Sequence, residues 1–116
     1  MPAPSRLAIA TSAVTRLVKE EASYHKELEQ QKASIAKLEQ GGGDENAEYQ
    51  LKQERRALEE TKAIFPSLNA RIKEALAKLE QQLEQDKGPG DQSTPEEITK
   101  AKEAIAGAKT ALRETM

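Results

Sequence analysis

Residues 61–76 read TKAIFPSLNARIKEAL, and fifteen of these sixteen residues suit the interior of an amphipathic helix. The exception is Pro66. It has no backbone N–H, its ring crowds the preceding turn, and it costs a helix interior about 3 kcal/mol. The fold turns on whether a helix stops here, bends here or never forms. Phase decides it. Leu51, Leu58 and Phe65 precede or reach the proline at seven-residue spacing, and Ile72 and Leu79 continue the count beyond it. A helix that stopped and restarted would be free to change phase, and Phe65 would be a poor N-cap for a new one. The spacing therefore predicts one helix over about 45–86, kinked or bulged at Pro66, with the Lys62 carbonyl lacking its usual partner. Leu68, Ala75, Leu76 and Leu83 fill its flanking core positions.

Two breakers bound this segment. Gly41-Gly42-Gly43 with Asp44 precedes it, and Lys87-Gly88-Pro89-Gly90-Asp91-Gln92-Ser93 follows it. Asp44 reads as an N-cap, and Asp44, Glu45 and Glu48 suit the positive end of the macrodipole. Upstream, a helix is expected over about 12–40. Its seam has Val14, Glu21, Leu28 and Ile35 at heptad position a and Leu17, Tyr24, Gln31 and Leu38 at d, six of the eight apolar. Thr11 or Ser12 is the expected cap, with Leu7 and Ile9 just outside, so residues 1–10 stay outside the helices and open to disorder. Downstream, Ser93-Thr94-Pro95-Glu96-Glu97 starts a helix over about 95–115. Thr94 caps, Pro95 takes the first helical position and Glu97 returns the capping-box bond. Ile98, Ala101, Ile105, Ala108 and Leu112 form its stripe. Residues 87–94 are left as a flexible linker.

Composition agrees with helices. Charged residues make up 33% and aromatics 3% of 116 residues, with one Phe and no Trp, too few for an all-β core of this length. At 1.5 Å per residue the first two helices span about 45 and 60 Å, and short connections make neighbours antiparallel. The expected fold is all-α. It is an elongated up-down-up three-helix bundle in a single domain, with coiled-coil-like seams and the second helix longest. Heptads serve a monomer and a homodimer equally, and that choice stays open.

The 18 basic and 20 acidic residues interleave, for a net charge of −2. That predicts no nucleic-acid footprint and no polybasic membrane patch. No apolar stretch approaches the ~20 residues of a membrane span. Without cysteine there is no thiol chemistry or Cys-based metal site, which fits a reducing compartment. Residues 1–19 carry Arg6, Arg16 and Lys19 and no acid, a loose match to a mitochondrial transit peptide. The hydrophobic pattern that begins at Val14 runs unbroken into the body of the chain, so the segment reads as structural. His25 has Glu21 and Glu29 four residues to either side, but one His alone makes a thin metal site, and it reads as a solvated surface residue. Gly41-Gly42-Gly43 leads into acidic residues that would repel a phosphate. No nucleophile, general acid–base pair, metal site or cofactor site is expected, and the chain does not read as an enzyme.

Two surface features point toward protein binding. Lys52, Arg55, Arg56 and Lys62 form a basic stretch on polar faces of the second helix, and Tyr49 lies off the Leu51–Leu58 seam, an expected exposed aromatic. The residues alone thus describe a helical interaction module.

The chain further resembles the tubulin-binding cofactor A family, the tubulin-specific chaperones A. In the first helix the resemblance lies in Arg16, Leu17, Val18, Lys19 and Glu20, then Tyr24, Lys26, Glu27, Gln30 and Gln31. In the second it lies in Tyr49 at the helix start, Leu58, Glu60 and Thr61, and a mid-helix Pro66 followed by Arg71. It covers residues 12–86, while the third helix matches in pattern. The resemblance implies a cytoplasmic, non-catalytic chaperone of the microtubule cytoskeleton pathway, without cofactor. Such a chaperone captures quasi-native β-tubulin and holds it, alongside other tubulin-folding cofactors, for assembly into the αβ-tubulin heterodimer. Tubulin is acidic, so Arg16, Lys19, Lys26, Lys52, Arg55, Arg56 and Arg71, with Tyr49, are the candidate contacts, and Pro66 is either a purely structural kink or a bend that shapes the binding face. The alternative is a generic coiled-coil scaffold or oligomerisation module with another protein partner.

Overall fold

The structure, a computed structural model, describes residues 5–41, 45–86 and 93–114. These form three α-helices, α1 (Arg6–Gln40), α2 (Glu45–Gln85) and α3 (Pro95–Glu114), and no strand. Helix α2 runs through Pro66 without interruption, as the conserved phase of its apolar residues requires. The Asp44 cap, Gly42, Gly43 and linker residues 87–92 lie outside the described residues.

The first helix begins earlier than its sequence suggests. Ser5, not Thr11 or Ser12, is the N-cap: its Oγ accepts from the Ala8 N–H at 3.0 Å, and its carbonyl takes the first helical bond, from Ile9, at 3.0 Å. Residues 6–10 are therefore helical. Thr11 turns its hydroxyl back to donate to the Leu7 carbonyl at 2.8 Å. Leu7 belongs to the core rather than to a staple outside the helix. It stands one heptad before Val14, and both are fully buried.

The chain divides into two compact units. One comprises Met1–Glu20 with Leu68–Met116, the other Glu21–Ser67. The first draws on all three helices. Ser5 at the start of α1 donates to Glu97 at the start of α3 at 2.6 Å, so these two helices run side by side in the same direction. Lys109 of α3 reaches Glu80 of α2 at 3.4 Å. Their stripes converge on a core of Leu7, Val14, Leu17, Leu68, Ile72, Leu76, Leu79 and Leu83, closed by Ala101 and Ala108, whose small side chains let α3 approach. The third helix starts as its sequence predicts. Glu97 N–H donates to Thr94 Oγ1 at 3.1 Å, and Thr94 N–H donates back to the Glu97 carboxylate at 2.9 Å.

The second unit is an antiparallel pair, the C-terminal half of α1 against the N-terminal half of α2. Arg55 meets Glu39 at 3.3 Å, and His25 meets Phe65, so contacts near the turn pair close residues and contacts far from it pair distant ones. Two helices cannot enclose a stripe. Leu28, Leu38, Leu51, Leu58 and Phe65 stay half-buried, and Ile35, at 8% accessible, is the one buried hydrophobic side chain among the described residues of this unit.

Two measurements follow from this division. Ile72→Ala should cost about 2–5 kcal/mol in urea unfolding, whereas Leu51→Ala should cost about 1 kcal/mol because less area leaves water on folding. The Ser5 hydroxyl, then the Thr94 backbone N–H, hold the Glu97 carboxyl below its ordinary range. A carboxyl depressed in the folded state stabilises above its unfolded pKa and loses that contribution as pH falls through the folded one. Glu97→Gln should therefore lower the melting temperature at neutral pH and flatten its decline on the acid side.

Candidate functional site

Every candidate contact residue is exposed: Arg16, Lys19, Lys26, Tyr49, Lys52, Arg55, Arg56 and Arg71. Tyr49 has 65% of its surface accessible, as expected for a ring off the apolar seam. Helical spacing explains the clustering within α2. Tyr49, Lys52 and Arg56 stand at i, i+3 and i+7 and share a face. Tyr49, Lys52 and Arg55 border one concavity of about 570 Å³ with Leu51 and the acids Glu45 and Glu48. Arg55 is held by Glu39 at 3.3 Å, with both side chains more than half exposed, a pair of small energetic weight. Lys62, also in the basic stretch, meets Glu59 at 3.5 Å. Lys52, Arg56 and Lys26 form no ion pair among the described residues.

The remaining candidates lie in the three-helix unit, on two sides of α1. Arg16 and Lys19 border a groove of about 780 Å³ between α1 and α3, together with Val18, Lys100, Ala104 and Gly107. Arg71 borders a groove of about 500 Å³ between α1 and α2 with Arg6, Ile9 and Lys78, and Lys78 is tied to Glu74 at 3.5 Å. Ile9 leaves 58% of its surface accessible there. Sequence reasoning missed Arg6, Ile9 and Lys100. The α1 register carried one step upstream from Val14 to Leu7 would have placed Arg6 and Ile9 on helix faces. Lys100 had no such signal, because its neighbours in the groove come from α1.

His25 is not a freely solvated residue. Its ring packs on Phe65 with centroids 4.5 Å apart and planes tilted by 32°. Its Nε2 lies 3.6 Å from Glu21, whose side chain is only 3% accessible at a seam position of α1. Thr61, also buried, satisfies its hydroxyl on the Ala57 carbonyl at 3.0 Å. This is a polar patch within a helix pair. Among the described residues no three or more His, Cys, Asp or Glu side chains gather as a metal site. None of the described helices is long and apolar enough to cross a membrane.

Fold and surface together place the chain in the class of small helical-bundle modules that present charged helix faces and an exposed aromatic ring. The family model for tubulin binding cofactor A matches residues 2–105. The chain belongs to that family. It is 36% identical over 111 residues to tubulin-specific chaperone A of Saccharomyces cerevisiae, covering 95% of this chain and 96% of that protein. It is 36% identical over 100 residues to tubulin-folding cofactor A of Arabidopsis thaliana, covering 86% and 85%. The crystal structure of the Arabidopsis cofactor superposes with a TM-score of 0.76 at 35% identity, covering 90% of this chain and 92% of that one. By the names of its members the family is one of chaperones, not enzymes.

A carboxylate held inside a helix pair is expensive to desolvate, and an apolar replacement removes that cost while a truncation leaves a void. Thermal unfolding should therefore show Glu21→Leu at or above the wild-type melting temperature and Glu21→Ala below it.

Proposed function

We propose that this protein is a cytoplasmic tubulin-folding chaperone. It captures quasi-native β-tubulin and holds it for assembly into the αβ-tubulin heterodimer, in company with other tubulin-folding cofactors. The observation that carries the reading is the near-complete match to a protein named tubulin-specific chaperone A, 95% of this chain against 96% of the yeast protein. The surface supports it. Exposed cations on helix faces steer an acidic partner and fix its register, and such charges act mainly on the association rate. Tyr49 adds a large ring that binds without first losing a buried environment. In this reading Arg16, Lys19, Lys26, Lys52, Arg55, Arg56 and Arg71 are contact residues. A bend at Pro66, which leaves the Lys62 carbonyl without its helical donor, shapes the binding face.

Purified protein mixed at low salt with β-tubulin freshly released from chaperonin should form a discrete complex on size exclusion. α-Tubulin and an unrelated acidic protein should form none. Lys52→Glu combined with Arg56→Glu should weaken that complex about tenfold, chiefly through slower association. Absence of a complex with β-tubulin under these conditions would overturn the reading in favour of a generic helical scaffold.

A further inference from the structure

The groove between α1 and α3 carries an excess of positive charge, as the groove between α1 and α2 also does. The whole chain carries −2. The groove is bordered by three cations, Arg16, Lys19 and Lys100, and one acid, Glu103. Among the described residues none of the three cations forms a salt bridge, although Lys100 acts on the Glu97 carboxyl and helps hold it low. An excess of one sign of charge around a concavity focuses the field and favours a partner of the opposite sign.

The floor is apolar. Val18 and Ala104 line it, and the two threonines that border it have spent their hydroxyls on their own helix, Thr11 on the Leu7 carbonyl and Thr15 on the Thr11 carbonyl. Gly107 keeps the groove open. A Cβ added there would meet no atom within 4 Å, so packing inside this chain does not demand a glycine. Helix stability argues against one, since glycine is the poorest helix former after proline. What a side chain at 107 would occupy is the groove itself.

We propose that this groove is a docking site for an acidic amphipathic helix of a partner protein. The apolar stripe of that helix lies on Val18, Ala104 and the open face of Gly107, and its flanking carboxylates meet Arg16, Lys19 and Lys100. A helix laid in a groove is anchored at i, i+3, i+4 and i+7, and charge on its edges sets its orientation. Only the assignment of that helix to a tubulin subunit rests on the function proposed above, and docking itself stands on the groove.

The test uses the full chain and two synthetic helical peptides with the same leucine stripe, one flanked by glutamates and the other by lysines. On titration of isotope-labelled protein, the acidic peptide should shift amide resonances of residues 11–19 and 100–108, and raised salt should weaken the effect. The basic peptide should shift none. Lys19→Glu with Lys100→Glu should weaken acidic-peptide binding about tenfold or more. Gly107→Leu should abolish it without lowering the melting temperature, because leucine is the better helix former and the space is open. Equal binding of both peptides, no binding of the acidic one, or undiminished binding by Gly107→Leu would each overturn the proposal. So would the same shifts on raising protein concentration without peptide, which would assign the groove to a second copy of this chain. Failure of the wild-type chain to bind β-tubulin would instead count against the function of the preceding subsection, with the peptide result standing by itself.

Discussion

Burial of one narrow aliphatic stripe per helix is the constraint on which this structure depends. With a single Phe and no Trp, the chain has no bulky ring to close a core from one side. Leu, Ile, Val and Ala reach full burial only where a third helix covers the gap left by two. In the unit containing α3, Ile72, Leu79, Leu7 and Val14 lose all or nearly all contact with water, and Ala101 and Ala108 supply the close approach. In the helix pair of the other unit the same kinds of residue stay half-covered, and polar groups enter the seam: Glu21 beside His25, and Thr61 bonded to its own helix.

That thin construction has a functional counterpart. A helix whose stripe is used for packing still offers its remaining faces for binding, and here those faces carry cations in distinct settings. Arg55, Lys62 and Lys78 are engaged by acids of this chain. Arg16, Lys19, Lys52, Arg56 and Arg71 are not engaged by any described acid. An unengaged cation gives up no internal pair when a partner carboxylate arrives, so it is the better contact in energetic terms. The same reasoning ranks Arg56 above Arg55, although the two are adjacent in sequence.

Much of the fold was legible beforehand. Three helices, the Thr94–Glu97 capping box and the passage of α2 through Pro66 all follow from spacings within one segment. The exposure of Tyr49 follows from its offset against Leu51 and Leu58. The start of α1 was misread for an identifiable reason. Thr11 and Ser12 have the chemistry of a cap, but so does Ser5, and Ser5 has a second partner in the Glu97 carboxylate 92 residues away. The stacking of His25 on Phe65 depends likewise on a residue from another helix.

The sequence by itself determined helix number, helix type, phase and the polarity of each face. These are set by residues three, four and seven positions apart, whose relation the backbone geometry imposes locally. Tertiary structure decided which of those faces meet. It made Leu7 a core residue, engaged Glu97 twice, and set Lys100 across from Arg16 and Lys19 around one groove. No local spacing relates residues 16 and 100. Their proximity arises because α1 and α3 run side by side in burying a common core, and the charge of the groove is a consequence of that packing.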